Sequence, residues 1–105
     1  MVAITKKQSD RLLWKIYRHI RNEAEGISLK RLRGAHGEID CLTGEITLDP
    51  AGRLLPAIIH ECLHGLFADW PETTVEAYER AICAKLTPQQ WENLMARLLE
   101  RLQTK

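Results

Sequence analysis

His60-Glu61-Cys62-Leu63-His64 is the stretch of this chain best equipped for chemistry. If the segment is helical, histidines at i and i+4 stand one turn apart on the same face, so both imidazoles can reach one metal ion. Zinc takes imidazole nitrogen readily, and a catalytic zinc keeps a fourth position open for water. Glu61 then lies beside the metal, where its carboxylate can take a proton from that water as it attacks a carbonyl. The apolar residues Ile58, Ile59 and Leu63 fit such a helix, whose other side must pack into a core. The bland alternative is two core histidines flanking a solvated glutamate.

A catalytic zinc site needs a third protein ligand. Phe67 and Trp70 stand where the glycine and third histidine of an HExxHxxGxxH pattern would fall, so the third ligand is sought among Glu72, Glu76 and Glu79. If the motif helix and its successor run antiparallel about a turn near Trp70, the positions opposite the histidines fall at about 76 to 80. Glu76 is therefore the first choice and Glu79 the second. Glu72 comes third, because in the first helical turn it also suits the positive end of the helix dipole. Tyr78 and His36 are candidate oxyanion stabilisers, with core packing and a surface loop as their respective alternatives. His19 is expected on a solvated basic face, and Trp70 as packing at the helix junction.

The elements that must position these residues follow from periodicity. Thr5 and Gln8 have capping-box spacing, and Leu12, Leu13, Ile16, Tyr17 and Ile20 share one helical face, which predicts a helix over about residues 6 to 25, stopped by Gly26. Ile27 and Leu29 alternate with polar neighbours as a strand does, and Gly34 and Gly37 bracket a loop around His36. Ile39 with Cys41, and Ile46 with Leu48, predict a hairpin about Thr43-Gly44 that ends at Asp49-Pro50. The motif helix is expected over about 53 to 68, with Pro56 in its first turn. A second helix begins at Pro71 and carries Val75, Tyr78, Ile82 and Leu86. A last one is launched by a Thr87/Gln90 capping box and presents Trp91, Leu94, Met95, Leu98 and Leu102. The expected class is α+β: an N-terminal helix, a small antiparallel or mixed three-stranded sheet, the motif helix, the glutamate helix and a C-terminal helix.

The 105 residues suit a single domain, residues 1 to 105, with one modest core. At 45% hydrophobic and 28% charged, with a formal charge of +1, the chain has the balance of a globular protein and no whole-molecule field to draw it to nucleic acid or membrane. The basic N-terminal third, from Lys6 to Arg33, is read as a solvated face, and neither a nucleic-acid nor a membrane partner is expected. No apolar stretch of signal-peptide length opens the sequence, and no run nears the about 18 residues of a spanning helix, so a cytoplasmic location is expected. Cys41, Cys62 and Cys83 form no CxxC pair and are read as small buried hydrophobes.

HExxH on one helix, a glutamate on the next, and a preceding short strand that ends in Asp49-Pro50 resemble the gluzincin zinc metallopeptidases, and in size their single-domain forms, the minigluzincins. The resemblance spans Gly37 to Leu86. It implies one zinc ion per chain on His60, His64 and a glutamate of the following helix, here Glu76, with Glu61 as the general base. It also implies that an extended peptide pairs with the sheet's edge strand, here Glu45-Ile46-Thr47-Leu48. VEAYERA lacks an NExxSD-like pattern, which leaves Glu79 and Glu72 as alternates. The function expected is a small zinc-dependent endopeptidase acting on a peptide or protein substrate. The alternatives are a non-catalytic structural or regulatory zinc module, and a latent peptidase blocked by its own segment from Gln89 to Lys105.

Overall fold

The computed structural model describes residues 3–23, 26–30, 32, 37–40, 42–48 and 53–101. In chain order they form α1 (Lys6–Arg18), a π-helical turn (His19–Glu23), β1 (Gly26–Leu29), β2 (Gly37–Ile39), β3 (Glu45–Leu48), α2 (Leu54–Leu66), α3 (Glu72–Lys85) and α4 (Pro88–Arg101). The class is α+β, four helices with a small mixed sheet. His36, Cys41, Asp49-Pro50 and Leu102 lie outside the described residues.

Both capping boxes form. Gln8 N–H donates to Thr5 Oγ1 at 3.1 Å while Thr5 N–H donates to Gln8 Oε1 at 2.9 Å. Gln90 and Thr87 repeat the exchange at 3.1 and 3.0 Å. Each exchange satisfies two backbone donors that a helix start leaves unpaired. The first helix is shorter than its periodicity suggests. Its α-helical ladder ends at Arg18, a wider π turn follows, and Gly26 already belongs to β1 rather than serving as a stop.

Around Thr43-Gly44, Asp40 Oδ1 accepts from Leu42 N–H at 2.8 Å, and Gly44 takes φ 81°, the left-handed conformation glycine adopts without steric cost. This closes the antiparallel β2–β3 hairpin, with Glu38 opposite Thr47. β1 pairs with the other side of β3 in parallel, Ile27 beside Ile46, so the strand order is β1-β3-β2. That overturns the expected edge: Glu45, Ile46, Thr47 and Leu48 are the central strand, with hydrogen-bonding groups engaged on both sides. Ile46 and Leu48 are fully buried, as a central strand over a helix should be. β1 and β2 are the edges.

α2 is the spine of the core. Ala57, Ile58, Ile59, Cys62 and Leu63 are buried among Ile16, Ile20, Val75, Ile82, Leu94 and Leu98 from the other three helices and the π turn, and among Ile27, Ile46 and Leu48 from the sheet. Each isoleucine, leucine and valine among them contributes about 1.5–3 kcal/mol by leaving water. His19 is a correction. Instead of facing solvent it is 5% exposed, and its ring lies against Gly65 of α2, where an added Cβ would come within 2.7 Å of His19 Cε1. Only a glycine leaves room for the imidazole there.

Candidate metal centre

A break of five residues, 67 to 71, reverses the chain between α2 and α3. Phe67 and Trp70 stack with ring centroids 4.2 Å apart, and Trp70 meets Tyr78 at 4.6 Å, so Trp70 does pack at the junction. The tightness of this break decides which side chains meet. Glu72, the first residue of α3, faces the last turn of α2, and Glu76 and Glu79 follow on the same face at i+4 and i+7.

His64 Nε2 donates to Glu72 Oε1 at 2.7 Å, and His60 Nε2 lies 3.2 Å from Glu72 Oε2. A nitrogen of each imidazole and an oxygen of Glu72 fall within 4.8 Å of one another. The other nitrogen of His60, Nδ1, donates to Glu79 Oε1 at 2.8 Å. Glu72, ranked last of the three by sequence, is therefore the one carboxylate of the three that reaches both imidazoles. Glu79 does stand opposite His60, within the expected positions, while Glu72 opens α3 directly across from the last turn of α2 and so meets His64 as well. Glu76 lines the same cleft but makes no hydrogen bond to either histidine.

The donor set suits a zinc-like ion. Two imidazole nitrogens and a carboxylate oxygen are the ligands of an open zinc site, and a tetrahedral ion with bonds of about 2.0–2.2 Å spaces them about 3.3–3.6 Å apart. The exposed Glu72 side chain can open by that small margin. A carboxylate on the Nδ1–H of a ligating histidine fixes the tautomer and turns Nε2 toward the metal, which is the position Glu79 holds.

The charges are interdependent. The hydrogen bond to Glu79 raises the His60 pKa from 6.5 to about 9 against the opposing effect of burial, with Glu72 and Glu61 adding to the rise. Burial pushes Glu61 above its ordinary value, and the neighbouring histidines pull back. For Glu72 burial is outweighed by the hydrogen bond from His64 and the charge of His60, so its carboxyl sits below the ordinary value. Glu61, 6% exposed on the motif helix, is thus a carboxylate at the edge of solvent whose affinity for a proton is enhanced.

These groups line a cleft of about 430 Å³ bounded by Gly37 of β2, by Arg53, His60 and Glu61 on the α2 side, and by Glu72, Glu76, Glu79 and Arg80 of α3. Glu79 as an orienting group and the two arginines were not singled out by sequence, since nothing local distinguishes them from a solvated face. Tyr78, a candidate for the oxyanion, is turned into the aromatic stack and does not line the cleft; His36 lies outside the described residues. No residue of α4 lines the cleft either. Among the described residues no helix is long and apolar enough to cross a membrane. No family model, no curated protein and no solved structure matches this chain.

Proposed function

We propose that this chain is a small zinc-dependent peptidase of gluzincin-like design, with one ion on His60, His64 and Glu72 and with Glu61 as the base. The observation that carries the reading is the convergence of both motif imidazoles and one carboxylate of the next helix, beside a cleft that His60, Glu72 and the buried Glu61 line. When bound, zinc supplies a Lewis acid for the scissile carbonyl and acidifies water. Glu61, its proton affinity raised by burial, takes the proton of the attacking water and passes it to the leaving amine. Glu79 keeps the His60 ring oriented throughout. With Tyr78 turned away, Arg53 and Arg80 are the cationic groups left to face charge developing on the carbonyl oxygen.

The substrate segment would add to β2 rather than β3. Among the described residues β2 keeps one side free of strand pairing, and its first residue, Gly37, lines the cleft that Glu61 also lines.

Elemental analysis tests the site. One zinc per chain is expected in the parent and in Glu61→Gln, and none in His60→Ala. Glu72→Ala should lose far more metal affinity than Glu76→Ala, and Glu79→Gln should lose about 10–100-fold. No metal in any of them after incubation with zinc would end the proposal.

A second reading has its own observation. Glu72 and Glu76 both reach the cleft, so with two histidines four protein ligands are available, enough to close a structural zinc. Equal loss of metal from Glu72→Ala and Glu76→Ala, with no hydrolysis of any peptide, would favour that module.

A further inference from the structure

We propose that the groove between α1 and α4 binds single-stranded nucleic acid, seating one nucleotide against Trp14 with phosphates on Arg18, Arg21, Arg97 and Arg101. The inference shares no residue with the metal cleft and does not depend on it.

The groove begins as a cavity of about 230 Å³ walled by Trp14, Tyr17 and the four arginines, with Glu100 as its one carboxylate among the described residues. Guanidinium groups stay charged at any working pH, so the cavity is strongly cationic although the chain as a whole carries only +1. Three of the four arginines present their charge: Arg18, Arg21 and Arg97 make no ion pair with an acidic side chain among the described residues. Arg97 is held in place from below, its guanidinium carbon 4.2 Å above the Tyr17 ring, and its Nε is shut off from solvent with no acceptor among the described residues.

The aromatic wall says which anion. Trp14 is 60% exposed and stands between this cavity and a shallower groove along α1 lined by Lys7, Arg11 and Lys15. Asp10, in the same groove, is already bound to Lys6 at 2.8 Å and to Gln90 at 2.9 Å. From Lys7 to Arg18 the basic track extends about 16 Å at the helical rise of 1.5 Å per residue. A cationic track with an exposed ring at its middle matches a backbone of phosphates carrying planar bases, which stack on aromatics whatever their identity. An acidic peptide offers the charge without the flat face, and a duplex hides its base faces in the stack.

Anisotropy of a fluorescein-labelled oligothymidylate tests this at about 50 and 200 mM salt. Binding should weaken with salt at a log–log slope of about −3, as for four neutralised phosphates. The exposed-site variant Arg18→Glu/Arg21→Glu should lose at least about tenfold, Trp14→Ala about tenfold, and Trp14→Phe much less. Circular dichroism identical to the parent shows that these variants are folded, and His60→Ala should bind like the parent. The proposal is overturned by no binding at low salt, by a duplex or polyglutamate binding as tightly, or by polyphosphate competing equally while Trp14→Ala changes nothing.

Discussion

The candidate metal centre takes both histidines and its base from five consecutive residues of α2, whereas the basic groove takes its lining from α1, the π turn and the far end of α4. In the first, helix periodicity alone sets the spacing of the imidazoles, and the tertiary fold adds the carboxylates of α3. In the second no local pattern exists; Trp14 and Arg97 wall one cavity because two helices pack. The two should therefore fail independently. The largest expected effect separates them. Glu61→Gln should lower peptide hydrolysis by about 10²–10⁴-fold while metal content and oligonucleotide affinity stay at parental levels. Loss of oligonucleotide affinity in that variant would show the two regions to be coupled.

Protons sharpen the contrast next, since arginines do not titrate in the working range and His60 does. Its folded pKa of about 9 lies above the ordinary 6.5, so in the metal-free protein its pairing with Glu79 stabilises the fold fully below about pH 6.5. That contribution is lost as pH rises through about 9. A metal ion needs the neutral ring and must displace the proton, so zinc affinity should climb about tenfold per pH unit between about 6.5 and 9. Calorimetry in buffers of different ionisation enthalpy should register one proton released. Uptake independent of pH across that window would contradict the His60–Glu79 pairing, and the salt slope of the groove should be the same at both ends of it.

What the sequence made legible divides along the same line. The motif helix, both capping boxes and the Thr43-Gly44 hairpin rest on residues within a few positions of one another, and they stand in the structure. The central place of β3 was not legible, because β1 pairs with it in parallel across an intervening stretch that carries no register signal. The choice among Glu72, Glu76 and Glu79 turned on how α3 meets α2 across one short break, which no local pattern records. The burial of His19 does have a signal in the sequence. A glycine inside an apolar helix, Gly65 beside His64, marks a close approach, and the imidazole is what approaches.

That contact yields a medium-sized effect on the metal side. Gly65→Ala forces its methyl group against a buried ring, and should destabilise the fold by about 1–3 kcal/mol. Thermal denaturation reads this as about 4–8 °C per kcal/mol. His19→Ala in the same chain should recover part of the loss, because the two substitutions share one contact. Additive losses would mean that the ring can step aside, and that α2 is not braced there behind His64.

The smallest expected effect lies on the other side. Trp14 is mostly exposed and absent from the core, so Trp14→Ala should alter stability by only about 1 kcal/mol or less. An exposed tryptophan among arginines does little for the fold, and this sets it apart from Trp70, which the Phe67 and Tyr78 rings enclose. Trp70→Ala should therefore cost more than Trp14→Ala and loosen the break that brings Glu72 to the histidines, reducing metal affinity as well as Tm. Trp14→Ala should leave both nearly untouched and weaken only the oligonucleotide. If the order of the two tryptophans were reversed in a melt, Trp14 would be a packing residue, and its exposure would no longer argue for a ligand.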